Sequence, residues 1–181
     1  MNRILAILIF VLFSISTTYG QKHSQVTLDS TSKLNNSKHK SPPAPLNPIG
    51  YTSDYEHILS ATEIDTLNSI IKYFEKETTI QIAIVSIDSS YTTKDDFDDF
   101  ITGLGRSWGV GQKDKNNGII IGISTGLRKI RISNGDGIEK KLSDDETKKI
   151  IDERMLPEFK QEHYFEGLRK GMAAIMVKLK Q

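Results

Sequence analysis

Two nearly continuous apolar segments constrain the fold of this chain more than any other feature. Residues 80–87 read IQIAIVSI and residues 118–124 read GIIIGIS, with β-branched side chains at most positions. This pattern is typical of strands covered on both faces, in the middle of an α/β sheet. Between them, large apolar residues recur at helical spacing from Phe97 to Trp108. A strand, a helix and a second strand at this spacing predict a parallel β-α-β unit.

Two capping boxes mark further helix starts. Ser60 with Glu63 precedes an apolar stripe at helical spacing, and Ser143 with Glu146 precedes another. In a capping box the serine side chain and the glutamate side chain satisfy each other's backbone N–H groups. We expect the second of these helices to break at Pro157, because proline lacks a backbone N–H.

The remaining pattern completes an α/β domain. Strict alternation over residues 127–133 predicts an antiparallel strand near the sheet edge, residues 135–137 (GDG) predict a loop, and residues 165–179 form a helical apolar stripe. The sequence therefore predicts a three-layer α/β/α sandwich around a central mixed, mostly parallel sheet of three to four strands.

The first 48 residues differ in composition from this domain. Residues 1–20 contain one charge, Arg3, and an apolar run from Ile4 to Phe13, which predicts a secretory signal peptide. An uncleaved membrane anchor is the alternative, but a span needs roughly 20 apolar residues. Residues 21–48 are rich in Ser, Lys and Pro and predict a disordered spacer. We expect residues 49–181 to form a periplasmic or secreted monomer with no stable membrane span after cleavage.

The charges exclude some functions and favour others. The whole chain has 24 basic and 23 acidic residues and no cysteine, which argues against nucleic-acid binding and excludes thiolate zinc sites. The net charge is +1, but the first 48 residues contain five basic side chains and only one acidic one, so residues 49–181 have a net charge of −3. An acidic exported domain favours a divalent cation as partner.

Polar loop residues supply candidate ligands for that cation. Ligands of open α/β sheets bind beyond the carboxyl ends of the strands. Asp88 follows the first buried strand, Asp114 and Asn117 precede the second, and Asp54 and Glu139 are placed to join one of these clusters. Carboxylate and amide oxygens suit calcium, with magnesium as the alternative. Each of these residues also has an ordinary structural explanation, as a turn former, a helix cap or a surface charge.

Several short motifs occur in an order that resembles a known family. They are Trp108-Gly109-Val110-Gly111, then Asp114 with Asn117-Gly118, then Gly135-Asp136-Gly137-Ile138-Glu139. Together they resemble the TPM domain family, known from a thylakoid-lumen acid phosphatase associated with photosystem II repair and from exported bacterial proteins. The resemblance extends over residues 50–181. It implies an α/β/α sandwich, divalent metal binding in some members and acid phosphatase activity in the plant branch. Asp136 departs from the family pattern, which usually has an aromatic residue there.

Three functions remain open at this point. The first is an exported TPM-type domain that binds a divalent cation through the five candidate ligands. The second is a metal-dependent acid phosphatase acting on a phosphorylated small substrate, the one route left to a chain without a cysteine nucleophile or a Walker loop. The third is a non-enzymatic envelope module that binds a protein partner during assembly or repair of membrane proteins.

Overall fold

The structure, a computed structural model, describes residues 46–181. The expected signal peptide and all but the end of the expected spacer lie outside this range. The last spacer residues, 46–48, pack against the domain. The indole Nε1 of Trp108 donates a hydrogen bond to the carbonyl of Leu46 at 2.9 Å, and the hydroxyl of Tyr55 donates one to the carbonyl of Asn47. Leu46 and Asn47 therefore contact the domain through their backbone carbonyls.

Residues 46–181 contain four strands and six α-helices. In order they are β1 (Thr52–Asp54), α1 (Ala61–Thr78), β2 (Gln81–Ser86), α2 (Phe97–Ser107), β3 (Gly118–Ser124), β4 (Lys129–Asn134), α3 (Asp136–Glu139), α4 (Asp144–Ile150), α5 (Leu156–Phe159) and α6 (Tyr164–Leu179). A π-helical turn, Ile151–Met155, joins α4 to α5.

The strands form one sheet in the order β1-β2-β3-β4. The first three are parallel, and β4 is antiparallel to β3. This confirms the predicted mixed, mostly parallel sheet. The antiparallel edge strand also lies where the alternating pattern placed it.

Successive side chains of β2 point to opposite faces of the sheet and contribute to two hydrophobic cores. Ile82 and Ile84 pack with α1 and α6 on one face, whereas Ala83 and Val85 pack with α2 on the other. Helices therefore cover both faces of the sheet, which confirms the three-layer sandwich.

The two parallel crossovers have opposite hands. Each advances the chain by one strand in the same direction, from β1 to β2 and from β2 to β3. However, α1 and α2 lie on opposite faces of the sheet. One of the two connections therefore departs from the right-handed rule for parallel β-α-β units.

Both predicted capping boxes are present. The Ser60 hydroxyl accepts the backbone N–H of Glu63 at 3.3 Å, and the Ser143 hydroxyl accepts that of Glu146 at 3.3 Å. In each box the glutamate carboxylate accepts the backbone N–H of the serine.

The structure corrects two local predictions. Residues 135–137, expected as a loop, lead into the short helix α3, which begins at Asp136. The helix expected to break at Pro157 continues through the π-helical turn into α5. Pro157 lies in the first turn of α5, where its missing N–H would have no partner in the same helix.

Candidate functional site

The five predicted ligands lie at opposite edges of the sheet. We call the edge where β1, β2 and β3 end the carboxyl edge, and the edge where they begin the amino edge. Asp54 is the last residue of β1 and Asp88 follows β2, so both lie at the carboxyl edge. Asp114 and Asn117 precede β3, and Glu139 follows antiparallel β4, so these three lie at the amino edge. Along β3 the two edges are separated by about 20 Å, so the five residues do not form one site.

Asp54 is committed to the turn that leads into α1. Its carboxylate accepts the backbone N–H groups of Ile58 at 3.2 Å and Leu59 at 2.9 Å, and it also accepts the hydroxyl of Ser86. The residue is only 8% exposed. Its oxygens are therefore occupied by protein donors, and Asp54 positions the chain between β1 and α1.

Asn117 joins two loops at the amino edge. Its Oδ1 accepts the backbone N–H of Gln112 at 2.8 Å, and its Nδ2 donates to the carbonyl of Thr79 at 2.7 Å. Asp114 and Glu139 are exposed, and their side chains make no hydrogen bond or ion pair with residues 46–181. Within the described part of the chain, no group of three or more His, Asp or Glu residues is arranged to hold a metal ion.

The motif glycines at this edge serve close backbone packing. A Cβ on Gly118 would lie 2.0 Å from the carbonyl oxygen of Val110, and one on Gly137 would lie 2.0 Å from that of Lys115. Both distances are far below van der Waals contact. The loop before β3 therefore packs directly on the backbone around it. Close packing explains why glycine is needed at these two positions.

At the carboxyl edge, Glu56 is a candidate that the sequence patterns missed. Its carboxylate accepts the backbone N–H of Thr125 at 3.0 Å and the Thr125 hydroxyl at 3.1 Å. Burial raises the pKa of the Glu56 carboxyl, and the negative charge of Asp88 raises it further, while the hydrogen bonds from Thr125 act in the opposite direction. A half-buried carboxylate is therefore held near a second carboxylate.

Asp88 belongs to the turn that follows β2. It is exposed, and its Oδ1 accepts the backbone N–H of Ser90 at 2.6 Å. Because its charge acts on Glu56, the two carboxylates share the same part of the carboxyl edge. A cation between them would relieve this repulsion.

A cleft of about 440 Å³ is lined in part by Thr125, the hydrogen-bond partner of Glu56. It is lined by the end of β3, the start of β4 and the chain around α5, and Arg128, Lys160 and Tyr164 are among its polar residues. Burial raises the pKa of the Tyr164 hydroxyl, the charges of Glu162 and Glu56 raise it further, and Arg128 opposes them. The cleft thus combines basic side chains with Thr125, which bonds the Glu56 carboxylate, and with Tyr164, on which the charge of Glu56 acts.

Left-handed backbone at non-glycine residues occurs at both edges, since Thr79 and Asn116 at the amino edge have φ angles of 64° and 46°. His57, Arg128 and Glu162 have φ angles of 55°, 52° and 63°, in the left-handed region that non-glycine residues seldom adopt. His57 follows Glu56 directly, and the other two line the cleft.

The sequence held no local signal for Glu56. Its hydrogen-bond partner Thr125 is 69 residues away, and Asp88 belongs to a different loop. The sequence patterns did not predict strand β1. Once β1 is known, Glu56 can be recognised as a residue just beyond the carboxyl end of a strand.

Comparison with known proteins agrees with the fold. Residues 52–178 match the model of the family described as the TPM domain. The N-terminal domain of a protein from P. gingivalis is 29% identical with a TM-score of 0.65, covering 72% of this chain and 82% of that one. The BA42 protein from Bizionia argentinensis is 22% identical with a TM-score of 0.59, covering 69% and 83%.

A third solved structure extends the likeness in fold. The N-terminal domain of a Corynebacterium glutamicum protein is 14% identical with a TM-score of 0.54, covering 74% of this chain and 82% of that one. No curated protein matches the sequence significantly. Among residues 46–181, no helix is both long enough and apolar enough to cross a membrane.

Proposed function

The chain belongs to the TPM domain family, and from this premise we propose that it binds a divalent cation at the carboxyl edge, between Glu56 and Asp88. The observation that carries the proposal is the placement of two carboxylates at the same edge: that of Glu56 is half-buried and held by the backbone N–H and the hydroxyl of Thr125, and Asp88 follows β2 there. Burial raises the pKa of the Glu56 carboxyl, and the negative charge of Asp88 adds to this rise. A cation bound there would neutralise both groups. Asp54 supports the site by fixing the turn between β1 and α1.

Calcium is the cation we favour, with magnesium as the alternative. The donors are carboxylates, with the Thr125 hydroxyl beside them, and neither histidine nor cysteine takes part. Calcium accepts 6–8 oxygen ligands, including backbone carbonyls and waters, so two carboxylates are enough for a weak site. We expect a dissociation constant of about 10⁻⁴ to 10⁻³ M, as in extracellular calcium modules.

Thermal unfolding in a calcium titration tests this proposal. At calcium concentrations about ten times the dissociation constant, binding stabilises the native state by about 1.4 kcal/mol, which raises Tm by about 5 °C in a domain of this size. We expect the shift to vanish in Glu56→Gln and Asp88→Asn. Asp114→Asn and Glu139→Gln, at the amino edge, are the matched controls and keep it.

Two results would contradict the proposal. A wild-type protein whose Tm does not respond to calcium or magnesium has no such site. A shift that survives in Glu56→Gln but disappears in Asp114→Asn would move the site to the amino edge. Isothermal titration calorimetry on the same variants measures the affinity directly.

A metal-dependent phosphatase is the second candidate, and the cleft beside Glu56 favours it. Arg128 and Lys160 would attract a phosphoryl group there, and a bound cation would polarise its oxygens. We expect hydrolysis of p-nitrophenyl phosphate to fall at least about tenfold in Arg128→Gln. Arg106→Gln, an exposed arginine at the other edge, is the control. Wild-type activity no greater than that of Glu56→Gln would exclude this function.

We also propose that the protein acts after export, in the periplasm or outside the cell. The support is the sequence pattern of residues 1–20, which precede the described residues. Cell fractionation followed by intact mass measurement tests this. A chain that begins near Gln21 agrees with the proposal, and a full-length protein confined to the cytoplasm contradicts it.

A further inference from the structure

The cleft between the end of β3 and α5 has apolar lining as well as polar residues. Ile130, Leu156 and Phe159 line it, and each of them is half-buried, so part of each side chain remains accessible. We call these three residues the apolar wall. The volume of the cleft, about 440 Å³, lies within the range of roughly 300 to 1,000 Å³ that is typical of small-molecule sites.

The ring of Phe159 is held in this wall by its neighbours. A Cβ on Gly167 would lie 2.3 Å from Cε1 of Phe159, so the ring packs directly against the backbone of α6. The ring of Tyr164 also packs against it, with the two centroids 5.5 Å apart and the planes tilted by 50°. Tilted aromatic pairs of this kind are favourable. The aromatic part of the wall therefore depends on contacts within the protein, and it needs no ligand to form.

Two donor groups of the cleft have no partner among residues 46–181. Arg128 is exposed, and its guanidinium makes no hydrogen bond or ion pair with these residues. The hydroxyl of Tyr164 makes no hydrogen bond with them either, although the charges of Arg128, Glu56 and Glu162 act on it. Burial raises the pKa of this hydroxyl, so it stays protonated and can donate. A guanidinium and a hydroxyl are thus available to bind an anion.

The remaining charges of the lining compensate each other. Lys160 and Glu162 are both exposed and carry opposite charges. Lys129 forms an ion pair with Asp98 at 3.1 Å. Arg128 therefore gives the lining a net positive charge, and the planar guanidinium group suits the oxygens of a phosphate.

We propose that this cleft selects phosphate monoesters of phenols. Arg128 and the Tyr164 hydroxyl bind the phosphate oxygens, and the aryl ring lies on the apolar wall. A sugar phosphate fits less well, because its hydroxyl groups would face the apolar wall without hydrogen-bond partners. The inference rests on the second candidate function, under which the cleft binds a phosphoryl group, and it adds the class of substrate.

The probes are phenylphosphonate and methylphosphonate, which carry the same anionic group and contain no ester bond to hydrolyse. Isothermal titration calorimetry of the protein measures the affinity for each. We expect phenylphosphonate to bind at least about tenfold more tightly, because its ring buries apolar surface on the wall. Since neither probe reacts, the measurement does not depend on turnover.

Two substitutions separate the anion contact from the apolar wall. Tyr164→Phe removes only the hydroxyl, so it should weaken binding of both probes about tenfold and leave the ratio of their affinities unchanged. Tyr73→Phe makes the same change at an exposed tyrosine of α1 and should bind like wild type. Leu156→Gln should lower the ratio to less than about threefold while methylphosphonate still binds. If thermal unfolding shows that Leu156→Gln is not folded, Ile130→Thr takes its place with the same expected result.

Each part of the inference can fail separately from the second candidate function. Equal affinities for the two probes, in a protein that hydrolyses p-nitrophenyl phosphate, would overturn the inference and leave that function standing. Unchanged binding in Tyr164→Phe would remove the hydroxyl from the anion site, and an unchanged ratio in Leu156→Gln would remove the ring from the wall. Preferential binding of phenylphosphonate by a protein without phosphatase activity would support the cleft as a site for aryl anions and contradict only the phosphatase.

Discussion

Replacing Asn117 by alanine distinguishes a structural residue from a metal ligand. The side chain bonds the backbone of Gln112 at 2.8 Å and of Thr79 at 2.7 Å, and the residue is 6% exposed. Each such bond contributes about 1 kcal/mol, so we expect the free energy of unfolding to fall by about 2 kcal/mol. In a domain of this size Tm then falls by about 6 to 10 °C.

Circular dichroism melting in the presence of a chelator measures this change. Asp114→Ala is the matched control, because Asp114 lies in the same loop but is exposed and makes no hydrogen bond with the described residues. Its stability should change by less than about 0.5 kcal/mol. If Asn117→Ala melts like this control and loses a calcium response, Asn117 is a ligand and the structural reasoning is refuted.

Three further substitutions test other parts of the structure. Burial and a neighbouring carboxylate raise the pKa of Glu56, so ionisation of Glu56 lowers the stability of the protein as the pH rises above the ordinary pKa of 4.5. Without added cation, Glu56→Gln should therefore have a higher Tm than wild type at pH 7. Equal melting curves would contradict this. Gly118→Ala places a Cβ 2.0 Å from the Val110 carbonyl and should cost about 3 kcal/mol in urea denaturation, whereas Gly126→Ala meets no atom within 4 Å and should cost less than about 1 kcal/mol. Asp54→Ala removes the acceptor of three hydrogen bonds and should cost at least about 3 kcal/mol in the same assay; a loss below about 1 kcal/mol would show that the turn into α1 does not depend on it.

Strand β3 and helices α1 and α4 could be predicted because the sequence patterns that indicate them are local. Strand β3 has the bounds Gly118–Ser124, as its unbroken apolar run indicated. Helices α1 and α4 begin after the serines of their capping boxes. In each case neighbouring residues contain the whole signal, so tertiary contacts do not need to be known.

Strand β1 could not be recognised in this way. Thr52, Ser53 and Asp54 are all polar, yet all three are buried. Their burial depends on pairing with β2 and on the donors that surround Asp54, which come from residues 4, 5 and 32 positions away. When β1 is not predicted, Glu56 cannot be placed at the carboxyl edge from the sequence. One missed edge strand therefore hid the residue on which the proposed site depends.

The residues that identify the family and those proposed to bind the cation lie at opposite edges of the sheet. At the amino edge, Gly118 and Gly137 are required by carbonyl oxygens 2.0 Å from where a Cβ would lie. These contacts determine whether the fold forms, and they are independent of the side chains at positions 56 and 88. A variant with Gln at 56 and Asn at 88 should therefore keep the fold and its far-UV circular dichroism spectrum while losing the calcium response. Loss of the fold in that variant would mean that the carboxyl edge is structural as well.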